Sequence, residues 1–202
     1  MATIVGSVMT SHVPSIGNAI AKHRENDPYW KPFFDGYPPV RAWLNQVKPD
    51  VAVVFYQDHG LNFFLDKMPT FAVGAAAEYR NDDEGWGILT VKPVKVDHAL
   101  TLPLALVWPG GGDWPVRVVP ITMNHVQHPL PSPKRSYRLG ESVGRAIASW
   151  KEDVRVLVMG TGGLSHQLDG ERAGFINKPF DLMCMDALVD DPQKLTRYSA
   201  LD

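Results

Sequence analysis

The chain has a single cysteine, Cys184, in 202 residues. No internal disulfide can form, and a reducing, cytoplasmic setting is the expectation. Apolar runs are short: the longest, such as 51–56 and 71–77, fall far below the roughly 20 residues that span a bilayer, so no membrane partner is expected. The opening MATIVGSVMTSHVP has no basic leader followed by a long apolar stretch, and no secretory signal is expected. Neither sign of charge dominates, with 20 Lys+Arg against 22 Asp+Glu and a net charge of -2. Without a basic block to neutralise phosphates, nucleic acid is excluded as an expected partner. Repeats, Ser/Gly linkers and low-complexity tracts are also lacking. The triplet Gly110 to Gly112 lacks the Lys-Ser/Thr of a phosphate loop and reads as a surface turn. What remains is an ordinary globular composition, 45% hydrophobic and 21% charged, long enough for one core.

Four short β-branched runs, Thr3 to Met9, Val51 to Tyr56, Val116 to Ile121 and Val154 to Met159, read as strands. Their nearly continuous apolar character suits strands covered on both faces. Helical spacing lies between them. Val40, Trp43, Leu44 and Val47 follow Pro38-Pro39 at i, i+3, i+4 and i+7; Val143, Ile147 and Trp150 precede the last strand; Phe180, Met183, Cys184, Ala187 and Leu188 follow it. Cys184 therefore reads as core rather than nucleophile. Much of the proline and glycine, 17 of each, falls in 28–39, 108–115 and 128–134, which read as loops. The expected fold is α/β: a single domain over 1–202 with a central mixed sheet flanked by helices and a cleft at the carboxyl ends of the strands.

Three of the seven histidines follow strands directly: His12 after the first, His59 after the second, and His166 after the run Gly160-Thr-Gly-Gly-Leu-Ser at the end of the last. Loops at the carboxyl ends of an open α/β sheet converge on one crevice, where ligands bind. Neutral imidazoles suit iron, zinc or copper, and two histidines with one carboxylate make the facial set of non-haem Fe(II) oxygenases. His12 and His59 are the expected metal ligands. His166, behind flexible glycines, is placed for acid-base work. Asp58 is a possible orienting acceptor, and His125 also follows a strand.

Several segments taken together are similar to the class III extradiol ring-cleavage dioxygenases, in particular the catalytic beta subunit of protocatechuate 4,5-dioxygenase and the gallate and methylgallate dioxygenases. They are Thr10-Ser-His-Val-Pro14, Asp27-Pro-Tyr-Trp30, Lys48-Pro-Asp50 with Asp58-His59, Pro69-Thr-Phe-Ala72, Asp83-Glu-Gly-Trp-Gly87, Val96-Asp-His98, Pro133-Lys-Arg135, Gly160-Thr-Gly-Gly-Leu-Ser-His-Gln-Leu168 and Arg172-Ala-Gly-Phe-Ile-Asn-Lys178. The resemblance implies Fe(II) held by His12 and His59, His166 as the base that takes a proton from the diol, and His98 as a second catalytic histidine on the oxygen side. Asn177 and Asp181 would have a supporting role. It implies extradiol cleavage of a carboxylated catechol with O2, in the breakdown of aromatic and lignin-derived compounds.

The chain departs from the family pattern in two places. After Gly87 the family has further residues before the VDH segment, whereas here 88–96 follow at once. The family's third iron ligand is a glutamate in a later segment, and no glutamate follows Glu171 here, so no third ligand is found in this sequence. Glu78 and Glu84 read as solvated surface. Protocatechuate is the leading substrate expectation, since Val13 beside His12 offers no hydroxyl to a third ring oxygen, with gallate or 3-O-methylgallate as alternatives. A metal-poor binding module and a zinc enzyme of the same superfamily are the competing readings. The resemblance also implies a partner, a small helical alpha subunit or a lid supplied by a dimer.

Overall fold

A computed structural model describes residues 1–79, 97–110, 113–125, 128–167 and 170–199. The expected shortening after Gly87, Glu84, and two of the three glycines in 110–112 lie outside these residues.

The chain forms β1 (Thr3–Thr10), α1 (Pro14–Ala21), α2 (Lys31–Phe34), α3 (Tyr37–Val47), β2 (Val51–Tyr56), β3 (Phe71–Val73), α4 (His98–Val107), β4 (Arg117–Met123), α5 (Pro133–Ser149), β5 (Arg155–Thr161) and α6 (Lys178–Asp190), then a 3-10 turn over Pro192–Arg197. The sheet order is β1-β5-β2-β4-β3. β1, β5, β2 and β4 are parallel, and β3 lies antiparallel on the edge against β4, so the sheet is mixed as expected.

Side chains alternate along a strand, and here both sets are buried. Ala52, Val54, Tyr56, Leu157 and Met159 face a layer made by α1, α3 and α4. Val51, Val53, Ile121 and Val156 face α5, which presents Leu139, Val143, Ile147 and Trp150 at helical spacing. The chain reaches β5 from β4 by way of α5, on the face opposite α1, α3 and α4, and so inserts β5 between β1 and β2. Asp50 fastens that insertion, accepting from the Arg155 backbone N at 2.8 Å and from its Nε and Nη2 at 3.0 Å. These bonds hold the Asp50 carboxyl at about 2.

Four elements were not foreseen: α1, α2, α4 and β3. α4 is buried on every side except at Ala105 and contains Pro103, so it shows no one-sided stripe and carries a residue that normally ends helices. β3 is only three residues long. The stretch 28–39, expected to be a loop, holds α2 and the first turn of α3, where Pro38 and Pro39 sit at positions whose N–H groups have no helical partner to lose.

β1 carries a register shift between Ile4 and Gly6. Gly6 has φ +154°, and a Cβ there would lie 2.5 Å from Trp43 Cζ2, so the indole of α3 rests directly on the strand backbone. Gly6→Ala should therefore lower the unfolding free energy by about 1–3 kcal/mol, the usual range for overpacking with local backbone strain. Urea denaturation reads this directly, and an unchanged midpoint would contradict the close approach.

Candidate metal centre

β1 passes into α1 through only Ser11, His12 and Val13, so His12 is held on a connection too short to wander. β2 leads to Gln57, Asp58 and His59. The buried Asp58 carboxylate accepts from the backbone N of Leu61, Asn62 and Phe63 and from Asn62 Nδ2, folding the loop that carries His59 back on itself. Asp58 thus orders the loop, with its carboxylate taken up by Leu61, Asn62 and Phe63.

The third component comes from α4. Asp97 caps this helix, its Oδ1 accepting from Ala99 N at 2.8 Å, and a carboxylate also suits the positive end of the helix dipole. The same Oδ1 lies 2.9 Å from His59 Nδ1, and Oδ2 accepts the His59 backbone N–H at 2.7 Å. His98 Nδ1 stands 3.5 Å from Oδ1. One buried carboxylate therefore holds the His59 ring, its backbone and the start of α4 together. Burial alone would push the Asp97 carboxyl up, but the His59 hydrogen bond and the adjacent His98 hold it below the usual carboxylate range.

Three rings meet as a result. His59 and His98 stack at 4.6 Å and 22°, and His12 stands edge-on to both, 5.2 Å from His59 and 5.8 Å from His98. His12 Nδ1 lies 3.1 Å from Thr161 Oγ1 at the end of β5. Burial, reinforced by the neighbouring His59 and His98, pulls His12 down to about 4, so its ring is neutral at neutral pH. His166 follows on the next loop. A Cβ on Gly163 would come 3.4 Å from His166 Nδ1, and one on Gly162 would come 3.8 Å from His12 Cε1.

Among the described residues, His59, Asp97 and His98 offer ligand atoms within 4.8 Å of one another, a group that could bind a metal. The two Asp97 oxygens, however, already serve His59, Ala99 and His98, which uses most of what a carboxylate can accept. The donor chemistry fits a metal better at the imidazoles: with Nδ1 of His59 bonded to a carboxylate and Nδ1 of His12 to a hydroxyl, each ring keeps Nε2 for an ion.

The family model described as the catalytic LigB subunit of aromatic ring-opening dioxygenase matches residues 6–89 and 81–202. The chain belongs to this family. A gallate dioxygenase of Pseudomonas putida is 44% identical over 104 residues, covering 52% of this chain and 31% of that protein. A 2,3-dihydroxyphenylpropionate/2,3-dihydroxicinnamic acid 1,2-dioxygenase of Photorhabdus laumondii is 30% identical over 187 residues, 79% of this chain and 55% of that one. A Rhodococcus protein of the same name is 35% identical over 149 residues, 62% and 46%. The chain thus spans from about a third to just over half the length of these relatives.

In this LigB chain the structure brings His12, His59 and His98 into one cluster and sets His166 on the adjoining loop. His125, two residues past β4, makes no ring contact with them among the described residues. Asn177 caps α6 through Phe180 N and its backbone N donates to Ser165 Oγ at 2.6 Å, while Asp181 Oδ1 accepts from Ser165 N, so both tie Ser165, next to His166, to α6. Glu78 is exposed, and Cys184 is buried in the core. Asp97 and Thr161 stand in the matching segments of the sequence but carry no role there. Asp97 had a signal, an aspartate just before a mostly apolar stretch of ten residues, the pattern of a helix cap. Thr161 had none, since only β1–β5 pairing brings it to His12.

The electrostatics carry a pH consequence for the metal-free protein. His12 titrates near 4 when folded and near 6.5 when unfolded, so between these values the unfolded chain binds the extra proton and stability falls as pH falls. Chemical denaturation at pH 7 and at pH 5 should show this loss, and His12→Gln should reduce it. An identical pH dependence in that variant would contradict the burial of a neutral imidazole.

Proposed function

We propose that this chain is the catalytic part of an iron(II)-dependent extradiol dioxygenase acting on a catechol that carries a carboxylate, with residues 1–202 forming one catalytic domain. The observation that carries the reading is the pair of imidazoles, each tied at Nδ1 and delivered from the carboxyl ends of β1 and β2 on either side of β5, beside two further histidines. His12 and His59 would hold the iron through Nε2. Bound there, Fe(II) would supply neighbouring coordination positions for the diol and for O2, together with the electronic link between them.

The remaining work falls to the chain's own groups. His166 would take the proton of a substrate hydroxyl and later return it, as its position on the glycine-rich loop beside His12 allows. His98, buried and stacked on His59, would donate a hydrogen bond on the oxygen side of the pocket. Asp97 keeps the His59 ring aimed and its far nitrogen electron-rich. The relatives' names support an aromatic diol with a carboxylate arm as the substrate class, and gallate is the first compound to test, with protocatechuate beside it. The exposed row Leu182, Met185, Leu188 and Val189 on α6 supports a covering partner, either a small helical subunit or a second copy. Among the described residues no helix is long and apolar enough to cross a membrane.

Anaerobic loading with Fe(II), followed by gallate or protocatechuate and air, should give O2 uptake and a ring-opened product. His12→Ala and His59→Ala should lose iron and activity together. His166→Ala should keep iron and lose about 10²–10⁴-fold in kcat, the usual contribution of a positioned proton-transfer group. Stoichiometric iron binding without turnover of any catechol acid would leave a binding module as the better reading, and absence of both iron and turnover would reject the enzyme.

A further inference from the structure

We propose that Thr161 is a positioning residue that sets the tautomer of His12, and so decides which of its nitrogens faces the metal. This deepens the reading above and rests on His12 being a ligand. β1 and β5 stay in register to their last residues, with Thr10 opposite Thr161, and Gly162 N donates to Thr10 O at 3.0 Å just as both chains leave the sheet. Thr161 is therefore fixed by strand pairing, and its branched side chain has few χ1 choices. Its Oγ1 meets His12 Nδ1 at 3.1 Å. The next residue, Gly162, turns away at φ +142° and brings no side chain against the ring. On the other strand, Thr10 Oγ1 is hydrogen-bonded to the Tyr37 hydroxyl of α3, which fixes the point where β1 releases His12.

The two histidines are held by unlike partners. Asp97 is ionised and can only accept, so it fixes a proton of His59 on Nδ1 and leaves Nε2 as the nitrogen available to an ion. A threonine hydroxyl can accept or donate. When it accepts from His12 Nδ1–H, the Nε2 lone pair is free to bind an ion; when it donates, Nε2 carries the proton and cannot. Thr161 thus acts as the selector for His12, and as a neutral partner it biases that ring less firmly than Asp97 biases His59.

The test uses metal-free protein labelled with ¹⁵N-histidine, in which two-bond proton–nitrogen spectra report the tautomer, and a Co(II) titration that reports affinity. The wild type should show His12 protonated at Nδ1. Thr161→Val should shift His12 toward the Nε2–H form and weaken Co(II) by about 10-fold, whereas Thr161→Ser should keep the wild-type tautomer and stay within about threefold, given the 10–100-fold effects usual for groups behind a ligand. Thr161→Ala replaces the valine variant if the latter does not fold. His12→Ala separates the two claims. If it abolishes Co(II) binding while the valine or alanine variant leaves tautomer and affinity unchanged, the role of Thr161 is overturned and the metal reading stands. If His12→Ala binds Co(II) as the wild type does, both fall.

Discussion

The Asp97 carboxylate is the interaction on which the candidate centre depends. It is 1% exposed, yet it serves four tasks: capping α4, fixing the His59 ring, fixing the His59 backbone and standing beside His98. A buried charge is tolerable only when fully paired. Here the pairing consists of the groups that a metal pocket needs held still. The helix it starts is buried almost all round, so the pocket floor is anchored in the core rather than on a mobile loop.

Topology explains why the rings meet. Inserting β5 between β1 and β2 places three parallel carboxyl ends side by side, which release His12, His59 and His166 within a few residues, while the third ring of the cluster, His98, comes from the start of α4. Burial, with His59 and His98 close by, keeps the His12 ring neutral, and a neutral ring is the form that binds a metal. Fold and chemistry are linked through strand order, which is a property of the whole sheet.

Much of this was legible in the residues. The four parallel strands read as apolar β-branched runs because they are covered on both faces, and His12, His59 and His166 could be placed at their ends from position alone. His98 came only through family resemblance, and the structure adds it to the ring cluster. What escaped was non-local or unpatterned. α4 has no polar face and so no period to detect; Thr161 reaches His12 only through pairing across nearly 150 residues; and Asp97, though it bore a helix-cap signature, gains its meaning from His59, 38 positions earlier.

The central claim is that an ion sits between His12 and His59, with Asp97 behind them as a support rather than on the ion as a ligand. Anomalous scattering from crystals of the Co(II)-loaded protein tests it most directly. The account predicts one peak within bonding distance of Nε2 of both His12 and His59, with the Asp97 to His59 Nδ1 hydrogen bond intact. A peak bonded to an Asp97 oxygen and to His98, away from His12, would contradict it.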